Sequence, residues 1–201
     1  RWGSRGLGDV YKRQVDMNKF GGRFKYSKVQ QVIDSTDTAI TSNITRVRIR
    51  RDLKAAINQF AQYELCFGNQ FHVTASGKNI KSTGFTISNN IRTVYLTDTP
   101  NSDMKTGVIS IVEILDNGTE NTVIGSAGTV DYIKGEILLS TVNITSTLDN
   151  SGVVEVQAIP ESNDVVGLKE LYLNFSLSKS TINMIRDVIS SGDEITGTSF
   201  I

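Results

Sequence analysis

The chain has 201 residues, 38% hydrophobic and 21% charged, which excludes a disordered polypeptide and leaves room for one large domain or two small ones. No apolar run approaches the ~20 residues that a bilayer-spanning helix needs, so no membrane partner is expected. Formal net charge is zero, yet residues 1–54 hold 13 Lys+Arg against 5 Asp+Glu and the remainder 8 against 16, a +8 opening followed by −8.

Residues 1–14 (RWGSRGLGDVYKRQ) show neither helical nor strand periodicity. Their GLGDVYKRQ ending looks like the translated sequencing-adapter tail of metagenomic reading frames. They are therefore set aside as non-native, and the rest is expected to be a fragment of a longer protein. The charge asymmetry survives their removal, at +5 for residues 15–54. Phe20-Gly21-Gly22-Arg23-Phe24 reads as a tight turn between aromatics, and lacks the Gly-Lys-Ser/Thr ending of a phosphate loop.

Ser27-Lys28-Val29-Gln30 has the form of a capping box. Val29, Val32 and Ile33 then make the apolar stripe of a short helix, which Asp34-Ser35-Thr36-Asp37 ends. From Asn43 the period drops to two: Thr45, Val47 and Ile49 point one way, Ile44, Arg46, Arg48 and Arg50 the other. Same-face neighbours lie roughly 7 Å apart, inside a Debye length of about 8 Å at physiological salt. The three guanidinium groups therefore repel and call for carboxylates on an adjacent strand, a partner subunit or phosphate. The bland alternative is a solvated face, or charges that keep an edge strand from mispairing. Arg46, Arg48, Arg50 and Arg51 are the candidate interface residues.

Leu53, Ala56, Ile57 and Phe60 sit at helical spacing after Asp52, which predicts a second short helix. Tyr63, Leu65 and Phe67 alternate with Glu64 and Cys66 as a strand ending at Gly68-Asn69. Further strands are expected at Gly84–Ser88, Ile91–Thr97, Gly107–Leu115, Asn121–Ile124, Gly128–Asp131, Glu136–Thr141 and Val153–Ile159. Asp116-Asn117-Gly118-Thr119 and Tyr132-Ile133-Lys134-Gly135 serve as hairpin turns. Pro100 and Pro160 fall at strand ends. Leu171, Leu173, Phe175 and Leu177 form a last alternating run. The fold class is α+β, predominantly β: a short helix feeding antiparallel or mixed sheets of short strands. The division expected is residues 15–75 as a helix-plus-strand subdomain, 76–178 as a mainly β subdomain, and 179–201 as a loose or truncated end.

Catalytic chemistry is not evident. The single Cys66 excludes an internal disulfide, and with the single His72 it is too few ligands for a metal. No serine has an elbow motif around it, and the carboxylates lie singly. Asp98, Asp103, Asp116, Asp131, Asp149 and Asp164 read mostly as turn stabilisers. No calcium loop and no aromatic platform for single-stranded nucleic acid are present. The expectation is no enzyme, no cofactor, no metal and no small-molecule substrate.

Four runs, Phe20–Leu53, Ala61–Phe71, Gly128–Leu139 and Ile159–Phe175, together resemble the C-terminal part of a baseplate wedge protein of T-even-type contractile-tailed bacteriophages. The helix-to-strand opening is more distantly similar to baseplate J-like proteins. The resemblance implies a structural protein of the virion tail baseplate, assembled in the host cytoplasm. It implies copies joined with themselves by homodimer and ring contacts, and with other baseplate wedge proteins. A basic opening and an acidic remainder fit such end-to-end association. Two other classes stand beside it. A tail-associated β module for host-surface polysaccharide predicts exposed aromatics in a groove, but the only tryptophan, Trp2, lies in the segment set aside. Nucleic-acid binding through the arginines predicts log K falling by about 0.9 per phosphate neutralised on duplex DNA as log salt rises. The clustered charge is not the uniformly basic footprint of such a binder, and no nucleic acid is expected as a partner.

Overall fold

The computed structural model describes residues 19–169 and 173–185. The strands are β1 (Arg23–Phe24), β2 (Ile49–Lys54), β3 (Phe60–Cys66), β4 (Lys81–Ser82), β5 (Phe85–Ile87), β6 (Asn90–Pro100), β7 (Thr106–Ile114), β8 (Glu120–Asp131), β9 (Glu136–Thr147), β10 (Val153–Ala158) and β11 (Val165–Val166). The one α-helix among the described residues is α1 (Tyr26–Asp34), and a short 3-10 turn spans Leu177–Lys179. Predominantly β with one short helix is the class expected from the sequence.

Strands β5 to β8 pair in succession, and β9 pairs with both β5 and β8, so the five close a small barrel; β3 is added on β9. Period-two alternation drives this closure. Val94 and Leu96 of β6, Ile109 and Ile111 of β7, Val130 of β8, and Ile137, Leu139 and Ile144 of β9 are all buried. Each such side chain contributes roughly 1.5–3 kcal/mol by leaving water. The two hairpin turns form as expected, with Gly118 at φ 80° and Gly135 at φ 68°. The two runs read at Asn121–Ile124 and Gly128–Asp131 are one strand, β8, interrupted by a register shift opposite Ile109–Ile111.

Against the barrel lies a second sheet, β2-β10-β4, with Leu53, Val154, Val156 and Ala158 feeding the same core. A third, smaller layer pairs β1 with β11 and buries Phe24 and Val165 against Val29, Val47, Ile49, Leu173 and Phe175. Of the helix stripe, Val29 packs on this cluster, and no α1 residue is fully buried.

Four expectations are corrected. Ser27 does not cap α1: the helix starts one residue earlier, and the Asp164 carboxylate accepts from the Tyr26 N–H at 2.8 Å instead. The strand read from Asn43 is laddered only from Ile49, where β10 supplies partners. The helix read after Arg51 does not form; Leu53 lies in β2 and Phe60 in β3, because pairing with β10 and β9 overrides a coincidental helical spacing. Of the last alternating run, Leu171 lies outside the described residues, and Leu173 and Phe175 are in no strand but pack on the Phe24 cluster.

Three carboxylates give the fold an acid-sensitive edge. Backbone N–H groups of Lys105 and Thr106 hold Asp103 below its ordinary 3.8. The Ser151 hydroxyl and N–H do the same for Asp149, and the side-chain amides of Asn121 and Asn90 lower Glu113 from 4.5. A folded value below the unfolded one means the native state binds fewer protons, so this stability is complete above the ordinary values and is lost as pH falls through the lowered ones. Urea midpoints are expected to decline below about pH 4, less steeply in Asp149→Asn. A midpoint that rises in acid would contradict the assignment.

Candidate protein interface

Residues 41–48, between α1 and β2, have no regular secondary structure, but burial alternates from 43 on: Asn43, Thr45, Val47 and Ile49 are half-buried, while Ile44, Arg46, Arg48 and Arg50 are exposed. The alternation read from the sequence is therefore real. The inward residues meet the layer under α1, with Val47 and Ile49 packed against the Phe24 and Val165 cluster. The helix also fixes the segment by hydrogen bonds. The Tyr26 hydroxyl donates to the Thr45 carbonyl at 2.8 Å, and the Asn43 amide donates to the Asp34 carboxylate. Thr45 Oγ1 then donates to Asn43 Oδ1 at 3.0 Å.

The four arginines part company. Arg50 is compensated within the chain: Nη1 lies 2.9 Å from Glu155 Oε1 on the neighbouring β10, and Nε lies 3.2 Å from Asp52. Glu155 also takes Lys179 Nζ at 3.3 Å from the late 3-10 turn, so two cations share one carboxylate. Arg51 faces inward and donates through Nε and Nη2 to the Cys66 carbonyl at 2.9 and 2.7 Å, tying β2 to the end of β3. Arg46 and Arg48 have no anionic partner among the described residues. The carboxylates demanded by the charge spacing thus arrive for one arginine of the outward row and not for the other two.

Elsewhere the titratable groups serve the fold. His72 Nδ1 is 2.8 Å from Glu161 Oε2 at the surface, next to the Phe71–Pro160 bridge. Burial, helped by the nearby Glu136 and Glu64 carboxylates, pushes the Cys66 thiol up, so it is a poor nucleophile. Among the described residues no group of three or more His, Cys, Asp or Glu could hold a metal ion, and no helix is long and apolar enough to cross a membrane.

Sequence reading missed Asp98, placed there among turn residues. It is a buried strand residue, 2% exposed, accepting from Tyr132 Oη (2.6 Å), Asn79 Nδ2 (2.8 Å) and the Ile80 N–H (2.6 Å). Its signal was available: Val94, Leu96 and Asp98 share one face of β6. Glu155 was missed as the counter-ion, since nothing local links it to Arg50, 105 residues away.

No curated protein matches the chain. Residues 9–52 match the family model described as baseplate structural protein gp6, C-terminal domain III. The match takes in α1 and the arginine segment and ends within β2. That family is described as a structural one, and its match, over residues 9–52 of the 201, supports a structural role in a phage baseplate.

Proposed function

We propose that the chain is a structural subunit of the tail baseplate wedge, holding its place by contacts with copies of itself and with other wedge proteins, without catalysis. The observation that carries this reading is the pair Arg46 and Arg48. They are exposed, without an anionic partner among the described residues, on a segment that α1 braces, inside the stretch that the family model covers. Two like charges held close together cost free energy in the isolated subunit, and a neighbour's carboxylates would relieve that cost. On this reading the protein resides in the virion baseplate and is assembled in the host cytoplasm.

Arg48→Glu is expected to weaken self-association or wedge docking by at least about tenfold, with raised salt weakening the wild type in the same direction. Sedimentation of the 201-residue chain, alone and with wedge proteins, measures it, and circular dichroism checks the fold. A folded Arg48→Glu protein that assembles as the wild type does would sink the proposal. So would a wild-type monomer that docks on no wedge protein.

A further inference from the structure

We infer that the segment 41–48 is an open strand that accepts, by strand addition, an extended acidic segment of a neighbouring protein. The inference rests on the reading of this surface as an interface and specifies what it takes. Three features meet here. Side chains alternate between half-buried and exposed over residues 43–48, which is the period of a strand. Yet among the described residues no backbone hydrogen bond involves residues 41–48; the Thr45 carbonyl is engaged only by the Tyr26 hydroxyl. The ladder begins abruptly at Ile49, paired with Ala158, and β2 is itself the outer strand of its sheet. A row of unpaired donors and acceptors in line with an existing strand is the template that peptide strands add to.

The charges choose the occupant. Arg46 and Arg48 project on one face at a two-residue interval with no anionic partner among the described residues, while Arg50, next in the row, is already served by Glu155. A strand laid along this edge presents alternate side chains to that face at the same repeat. Carboxylates at every second position of the incoming strand would meet Arg46 and Arg48 and extend the pairing made by Arg50. Lysines there would add to the repulsion. Backbone bonds give such a contact its affinity, and the arginine row gives it its selectivity.

The test uses the 201-residue chain and a labelled peptide of four Thr-Glu repeats. Two control peptides accompany it, one with Lys in place of Glu and one methylated on alternate backbone nitrogens. The acidic peptide is expected to bind and to slow amide exchange at residues 44–48 by about tenfold or more at saturation. Binding is expected to weaken at least about tenfold for the methylated peptide, for the lysine peptide and for the Arg46→Glu/Arg48→Glu double variant. Equal binding by the methylated peptide would reduce the contact to charge alone and overturn strand addition. Equal binding by the lysine peptide would overturn the acidic occupant. Amides at 44–48 already protected in a chain that sediments as a dimer would assign the edge to a second copy and overturn the inference. If Arg48→Glu disrupts wedge assembly while the peptide neither binds nor protects, the interface stands and strand addition falls.

Discussion

Asp98→Ala is expected to lower the free energy of unfolding by about 3–5 kcal/mol, a large fraction of what a domain of this size possesses. The side chain occupies a core position between β6 and the β8–β9 turn and satisfies three donors at once: Tyr132 Oη, Asn79 Nδ2 and the Ile80 N–H. Truncation strands Tyr132 Oη and the Ile80 N–H in a buried site, while the Asn79 amide, half-buried, loses its shorter partner, and an unsatisfied buried donor costs about 1–3 kcal/mol. Tyr132 cannot escape by ionising. Burial, the largest of the causes that hold its phenol well above its ordinary value, persists when the Asp98 carboxylate is gone, so it remains a donor. Tyr132→Phe removes one donor and leaves the carboxylate its other two, so a loss of about 1–2 kcal/mol is expected there. Urea unfolding of both variants decides the matter; an Asp98→Ala protein within 1 kcal/mol of wild type would show the network to be dispensable.

Gly128→Val is expected to cost about 3 kcal/mol or more and to open the barrel where β8 meets β9. Gly128 pairs with Leu139, and a Cβ at this position would run into the Leu138 carbonyl, with Leu139 Cα 2.9 Å away. These are backbone atoms of the paired strand, so no rotamer relieves the clash and the two strands must separate. Gly107 makes a similar close approach, to Tyr132 and the Thr99 carbonyl. Faster amide exchange at Val130 and Ile137, with a lowered urea midpoint, is the signature to measure. Wild-type exchange at both positions would rule the mechanism out.

Much of the β architecture was legible because alternation is a local signal: strands β5 to β10 lie where apolar residues recur at every second position between turn residues. Two things misled. Leu53, Ala56, Ile57 and Phe60 fall at helical spacing by accident, and the information that corrects it, the β10 and β9 ladders, lies about a hundred residues downstream. Ser27 has cap chemistry, but the free N–H of Tyr26 is met by Asp164, which no local pattern announces. The arginine row was visible as a pattern. That Arg50 would be neutralised, Arg51 turned inward, and Arg46 and Arg48 left without an anion among the described residues depends on where Glu155 and the Cys66 carbonyl come to rest.

The opening of the chain is completed by its late residues: β1 by β11, β2 by β10, and the first turn of α1 by Asp164. During translation, residues 19–54 leave the ribosome well before any of those partners exists, and the arginine segment waits with them. Closure over so long a loop is entropically slow, so this part of the molecule is set in place last. A nascent chain stalled before Val153 would therefore display the basic segment with only α1 to brace it and neither β10 nor β11 in place, an interval in which a holding chaperone has most to do.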